Sequence, residues 1–240
     1  MKKFLLALQF LAIIPIKINK IGEREISGSA AYFPLVGLLL GLLLAGLNNL
    51  LTNLGSSAMA TSSIVVITSI ILTGGMHLDG LCDTFDAISS GKSREEMLAI
   101  MKDPHIGALG AISVICMILL KIFLLAGLDT MHRSLTIILM AIISRWCMVI
   151  VMPIFSYARQ EGKAKAFMLG VNKKIILLAT LLTILLVSFI WPVKSLISVA
   201  ISFIIAYLFA KTVSRNLGGI TGDTLGAINE ITELTVLITA

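Results

Sequence analysis

The chain has 240 residues, of which 58% are apolar and 13% charged, roughly half the charged share of an ordinary soluble domain. Apolar runs of 17 to 22 residues recur along it, each long enough to cross the hydrocarbon of a bilayer, and they exclude a water-soluble globular fold. The net charge of +6 would suit a nucleic-acid binder, but the excess lies in short loops between apolar runs; membrane orientation accounts for it, and no nucleic acid is expected.

The N-terminus, Met1-Lys2-Lys3 followed by an apolar run from Phe4 to Ile14, has the look of a signal peptide, yet no small-residue cleavage site follows. Segment 4–16 is too short to span comfortably and reads as an interfacial or re-entrant helix. Six spans follow, at about 31–52, 57–73, 106–127, 134–153, 174–191 and 195–212. The expected fold class is therefore all-α: a polytopic membrane helix bundle with six to seven transmembrane helices, a single integral membrane domain over 1–240. The stretch 231–240 reads either as the start of a seventh helix or as an interfacial one.

Connections 53–56, 128–133 and 192–194 are short and nearly uncharged, whereas 17–30, 74–105, 154–173 and 213–230 are long and polar. With six alternating spans, all four long segments fall on one side. That side holds 13 Lys and Arg residues and the other only Arg133 and Lys194, so the long loops are expected to face the cytoplasm from the cell inner membrane. Two cations lie inside spans. Arg145, about two turns from the cytoplasmic end of its helix, is a candidate phosphate-binding group, whereas Lys121 is expected to snorkel to the far face with no chemical role. Cys82, Cys116 and Cys147 have no C-x-x-C spacing and read as unpaired thiols.

Chemistry concentrates in Gly74-Gly75-Met76-His77-Leu78-Asp79-Gly80-Leu81-Cys82-Asp83-Thr84-Phe85-Asp86. On a helix Asp79, Asp83 and Asp86 fall within an arc of about 60°. Three carboxylates on one face repel one another, and a hard divalent cation with oxygen ligands, Mg²⁺ above all, would offset the cost. The bland alternative is a solvated acidic face. His77 points away from the aspartates and is a weaker candidate for substrate contact.

Ser93-Arg94-Glu95-Glu96 is a capping-box pattern and predicts a short helix ending near Lys102-Asp103-Pro104-His105. Lys102, Asp103 and His105 then sit beside the start of a span, whose N-terminus would favour a phosphate. The third cluster, Gly218 to Gly226, has four glycines in nine residues but lacks the Lys of a P-loop. Its Asp223, with Glu230 seven residues on, is expected to join the aspartates as a further metal ligand or a general base.

Three of these runs, His77 to Asp86, Met101-Lys102-Asp103-Pro104-His105-Ile106-Gly107-Ala108, and Thr221-Gly222-Asp223-Thr224-Leu225-Gly226-Ala227 with Glu230, closely resemble the cobalamin synthase (adenosylcobinamide-GDP ribazoletransferase) family. Phe33-Pro34-Leu35-Val36-Gly37 is similar to the family as well, while Cys82, Phe85 and Ala87 stand where small residues or glycine are expected. The resemblance implies a Mg²⁺-dependent membrane phosphotransferase. Its substrates would be adenosylcobinamide-GDP and α-ribazole or α-ribazole 5′-phosphate, and GMP would leave. On that reading Asp79, Asp83, Asp86 and Asp223 bind metal, and Asp83, Asp86, Asp223 and Glu230 carry the catalysis. Lys102, Asp103, His105, Arg145 and His77 contact phosphate or substrate. A homo-oligomer is compatible with such a bundle. The rival from another class is an ion-coupled transporter, which would place its acids near the bilayer midplane on broken helices.

Overall fold

The structure, a computed structural model, describes residues 2–14, 21–162 and 164–240. Residues 15–20, which include the end of the 4–16 segment, and Lys163 lie outside the described residues. The elements are helical. α1 (Lys2–Leu11) is followed by α2 (Glu23–Ser29), which runs through a 3-10 turn (Ala30–Tyr32) into α3 (Phe33–Asn53). Then come α4 (Ala58–Thr73), α5 (Met76–Ser89), α6 (Arg94–Ile100), α7 (Ala108–Gly127) and α8 (Thr130–Val151). The chain ends with α9 (Lys165–Gly170), α10 (Lys173–Ile190), α11 (Pro192–Leu217) and α12 (Gly222–Thr239).

Five of the described helical segments are long and apolar enough to cross a bilayer: Arg24–Asn53, α7, α8, α10 and α11. α4 and α5 meet that standard only as a pair, bent by 87° at Gly74-Gly75. Both glycines have φ near +70° (64° and 70°), a conformation that residues with a Cβ rarely adopt, and this is what allows the sharp break. The result is an all-α bundle with five spans, or six when the broken pair is counted.

α8 is the axis, buried almost continuously from Thr136 to Val149. α3 lies against it along a seam of small residues. A Cβ on Gly37 would sit 2.2 Å from the Ala141 carbonyl oxygen, and one on Gly41 2.8 Å from the Ile138 Cα. Hydrophobic sorting does not drive helix association inside lipid, so this close backbone approach supplies the packing. α1, about 15 Å long, docks on the bundle end through Leu6, Ala7, Leu8 and Leu11, and Phe10 stacks with Phe33 and Phe167.

Two expectations about the long polar segments need correction. Residues 74–105 do not form a loop outside the bundle: α5 packs against α7 and α12, burying His77, Leu81 and Thr84 on the side away from its aspartates and Gly80, Cys82 and Ala87 on the flanks of the aspartate stripe. Likewise 213–230 is not a loop. α11 continues to Leu217, and after a four-residue turn α12 runs back along it as one 18-residue helix, so that Thr239 is hydrogen-bonded to Ser198 at 2.8 Å. The stretch 231–240 is the second half of this helix.

The turn before α12 is clamped to the segment that follows α8. Ala158 N donates to Ile220 O at 2.9 Å, and Ile220 N donates to Ser156 O at 2.8 Å. A Cβ at Gly219 would lie 2.4 Å from that Ser156 oxygen, so only glycine fits there. This clamp brings residues near 159 beside the start of α12.

Candidate functional site

On α5, Asp79 is exposed and Asp83 half-buried, one helical turn apart. Gly80 lies between them, against the backbone of Asp223: a Cβ there would be 2.5 Å from the Asp223 carbonyl oxygen. The missing side chain is thus what lets the first turn of α12 reach the aspartate face of α5. Arg159, delivered by the clamp, sets its Nη2 2.7 Å from Asp223 Oδ2. The contact is an ion pair rather than an aligned hydrogen bond; the same nitrogen donates to Met101 O at 3.2 Å.

Asp83 is within electrostatic reach of Asp79, Asp223, Asp86 and Arg159. Arg159 thus serves Asp223 directly and Asp83 at longer range, and among the described residues Asp79 and Asp83 have no hydrogen-bond or ion-pair partner. Such an all-oxygen, carboxylate-rich donor set fits a hard divalent cation. Among the described residues, no three His, Cys, Asp or Glu side chains are placed so that together they could hold a metal ion as they stand. The aspartates form an open cradle, with the surplus negative charge that a cation would neutralise.

Asp86 does not belong to that cradle. Both its carboxylate oxygens accept backbone hydrogen bonds, from Gly107 N at 2.8 Å and Gly110 N at 2.7 Å. α7 begins with no side-chain cap of its own, and Asp86 supplies the acceptors that its first amides need. A Cβ on Gly107 or Gly110 would lie 2.4 or 2.2 Å from that carboxylate. The helix end expected to attract a phosphate is occupied in this structure by the Asp86 carboxylate.

Asp103 and His105 are exposed and bonded to each other, Nδ1 to Oδ1 at 2.6 Å; the hydrogen bonds from His105 hold the Asp103 carboxyl below its usual range. The capping box at Ser93 forms as its pattern requires, with Glu96 Oε2 3.1 Å from Ser93 N. With Arg94 and Arg159, Lys102 lines a cleft of about 400 Å³ next to the Arg159–Asp223 pair.

Glu230, Arg145 and His77 are elsewhere. Glu230 and Glu233 of α12 face Lys121 of α7, at 2.7 and 2.5 Å, and Arg145 of α8 is paired with Glu233. Lys121 is therefore buried in an ion network rather than snorkelling outward, because two carboxylates reach it from the neighbouring helix. Arg145 and Glu230 belong to that ion network in this structure, apart from the aspartate cluster of α5. His77 lines the small adjoining cavity, on the side of α5 away from the aspartates.

Arg159 is the functional candidate that the sequence reading missed, having been counted only as a loop charge. The available signal was an imbalance: clustered aspartates with no assigned cation beside them.

Comparisons with known proteins agree on the kind of chain this is. The family model described as cobalamin-5-phosphate synthase matches residues 3–240. A protein of Desulfitobacterium hafniense named adenosylcobinamide-GDP ribazoletransferase is 39% identical, with 100% of this chain and 96% of its own length covered. Relatives of the same name from Fusobacterium nucleatum and Desulforamulus reducens are 38% and 36% identical, covering 98% and 97% of this chain and 95% and 93% of theirs. No solved structure matches. With a family match over nearly the whole length and relatives well above 30% identity, this chain belongs to the cobalamin-5-phosphate synthase family.

Proposed function

We propose that the chain transfers cobinamide phosphate from adenosylcobinamide-GDP to α-ribazole or α-ribazole 5′-phosphate and releases GMP. The names of its relatives support the reaction, and one feature of the fold carries the assignment to a site: Asp79, Asp83 and Asp223, from distant parts of the chain, meet across Gly80. In the proposed reaction a ribazole hydroxyl attacks the phosphorus on the cobinamide side of the pyrophosphate. A P–O bond forms to the hydroxyl oxygen, the phosphoanhydride bond breaks, and GMP leaves with the bonding pair.

The residues divide this work by position. Asp79 and Asp83 would hold Mg²⁺, with the Asp223 carboxylate as a further oxygen donor; when bound, the ion supplies charge neutralisation at the pyrophosphate. Arg159 and Lys102 orient phosphate oxygens through charge-assisted hydrogen bonds. Asp223, held in place by Arg159, takes the proton of the attacking hydroxyl. Asp86 maintains the start of α7 beside them.

We further propose that this end of the bundle faces the cytoplasm of the cell inner membrane, since the Lys and Arg excess lies on that side. A transporter would need a deep carboxylate free to bind an ion, and Glu230 and Glu233 are already neutralised by Lys121 and Arg145. The test is GMP release by purified protein given both substrates, with Mg²⁺ present or chelated. No release under either condition would defeat the assigned reaction, and undiminished release under chelation would defeat the metal role alone.

A further inference from the structure

Gly162 and Lys165 help to line a second concave surface, a cleft of about 850 Å³ between α1, α2, α9 and the start of α10. Four cations line it: Lys3, Arg24, Lys165 and Lys174. They come from four different helices, so the fold gathers them and no basic run in the sequence does. No Asp or Glu is among the described lining residues. Glu25, on the same helix as Arg24, is bound by Lys2 at 2.8 Å. Lys165 is partly satisfied by the Gln160 carbonyl at 2.5 Å, whereas Lys3, Arg24 and Lys174 have no hydrogen-bond or ion-pair partner among the described residues.

Converging like charges repel, and a concave site that holds four of them with no acidic residue in its described lining is complementary to an anion with several oxygens. We propose that this cleft binds a phosphate group. Its wall includes Leu169, 70% exposed, with Ile175 and Leu178 of the span α10, so the cations ring a surface that is apolar where α10 enters the bilayer. Basic recesses at the ends of spans with apolar flanks suit anionic lipid headgroups. A soluble phosphate ester offers the same headgroup chemistry without the acyl chains. The site does not depend on the proposed reaction, and the experiment below uses no substrate of it.

The full-length protein is purified in detergent and probed in two arms. Native mass spectrometry compares retention of phosphatidylglycerol with that of phosphatidylcholine, and a melting curve measures stabilisation by inorganic phosphate. The expected result is preferential phosphatidylglycerol retention, stabilisation by phosphate, or both. The double variant Arg24→Gln/Lys174→Gln should bind the positive probe about a hundredfold more weakly, about tenfold per cation. Both side chains are exposed, so its melting point without ligand should match the unsubstituted protein. Arg24→Lys should retain binding, and Lys194→Gln, whose lysine sits over the Trp191 ring beyond the other end of α10, should change nothing. Retention of the lipid alone identifies a headgroup site, and stabilisation by phosphate alone a soluble ligand. If neither probe binds, or the double variant binds as the unsubstituted protein does, the proposal is overturned.

Discussion

Two groups of carboxylates in this chain meet opposite fates, although one helix contributes to both. Glu230 and Glu233 of α12 lie 6% and 5% exposed among Lys121 and Arg145, two acids against two bases. Seven residues before Glu230, Asp223 joins Asp79 and Asp83, and among the described residues that trio has one ion-pair partner, Arg159. Deep in the bundle an unpaired charge has neither water nor lipid to solvate it, so each acid there must be matched by a cation. At the open end of α5, water screens the repulsion and a surplus can persist. Matched charge therefore marks the part that holds the bundle together, and surplus charge marks the part prepared to receive a cation and a phosphate.

Neutralising one member of each group breaks the comparison most directly. Asp83→Asn removes a charge that no protein group needs, so the protein should insert and melt normally while GMP release falls about a thousandfold or more. Turnover within tenfold of the unsubstituted enzyme would end the metal assignment. Glu233→Gln should do the reverse. It leaves Arg145 and one face of Lys121 uncompensated, and destabilisation of about 3–5 kcal/mol is expected, read from thermal or denaturant unfolding in detergent. Adding Arg145→Met to that variant removes the cation left over and keeps the Lys121–Glu230 pair, so it should recover part of the loss; without recovery, the network is not what holds these helices.

How much of this was legible beforehand follows the same division. The spans declared themselves as apolar runs, and the aspartate stripe as a helical spacing. Hidden were the two helices that mix apolar and acidic positions. α5 reads as a polar segment because the Asp79, Asp83 and Asp86 stripe breaks up its apolar positions along the sequence, and α12 because Glu230 and Glu233 mask its apolar length. Whether a charge is spare or spent depends on a partner far along the chain: Lys121 meets Glu233 across 112 residues, and no local pattern around either announces it. Asp86 has the same spacing and residue type as Asp83, and only the two glycine amides of α7 set it apart. Gly107 at an uncapped helix start was the one available hint.

Gly80 tests whether the meeting of α5 and α12 matters as geometry. A methyl group there would stand 2.5 Å from the Asp223 carbonyl, so the helices must part. Gly80→Ala should cost about 1–3 kcal/mol from overpacking. It should also reduce turnover further than the lost stability explains, because Asp223 moves off the aspartate face. Unchanged turnover per folded molecule would separate Asp223 from the site.

The smallest effect is also the most discriminating, because Asp86 shares its face of α5 with the proposed metal ligands. If Asp86 only caps α7, Asp86→Ala should remove about 1–2 kcal/mol of stability, the usual worth of a helix cap with two amide partners. Turnover per folded molecule should then stay within a few-fold, and the Mg²⁺ concentration for half-maximal activity should not move. Asp86→Ser, whose hydroxyl offers an acceptor on a shorter side chain, should recover some of the stability if the seat of the cap tolerates it. A metal ligand would behave differently: the Mg²⁺ requirement would rise steeply in both variants, whatever their melting points. That outcome would return Asp86 to the metal set and dissolve the distinction between spent and spare carboxylates on α5.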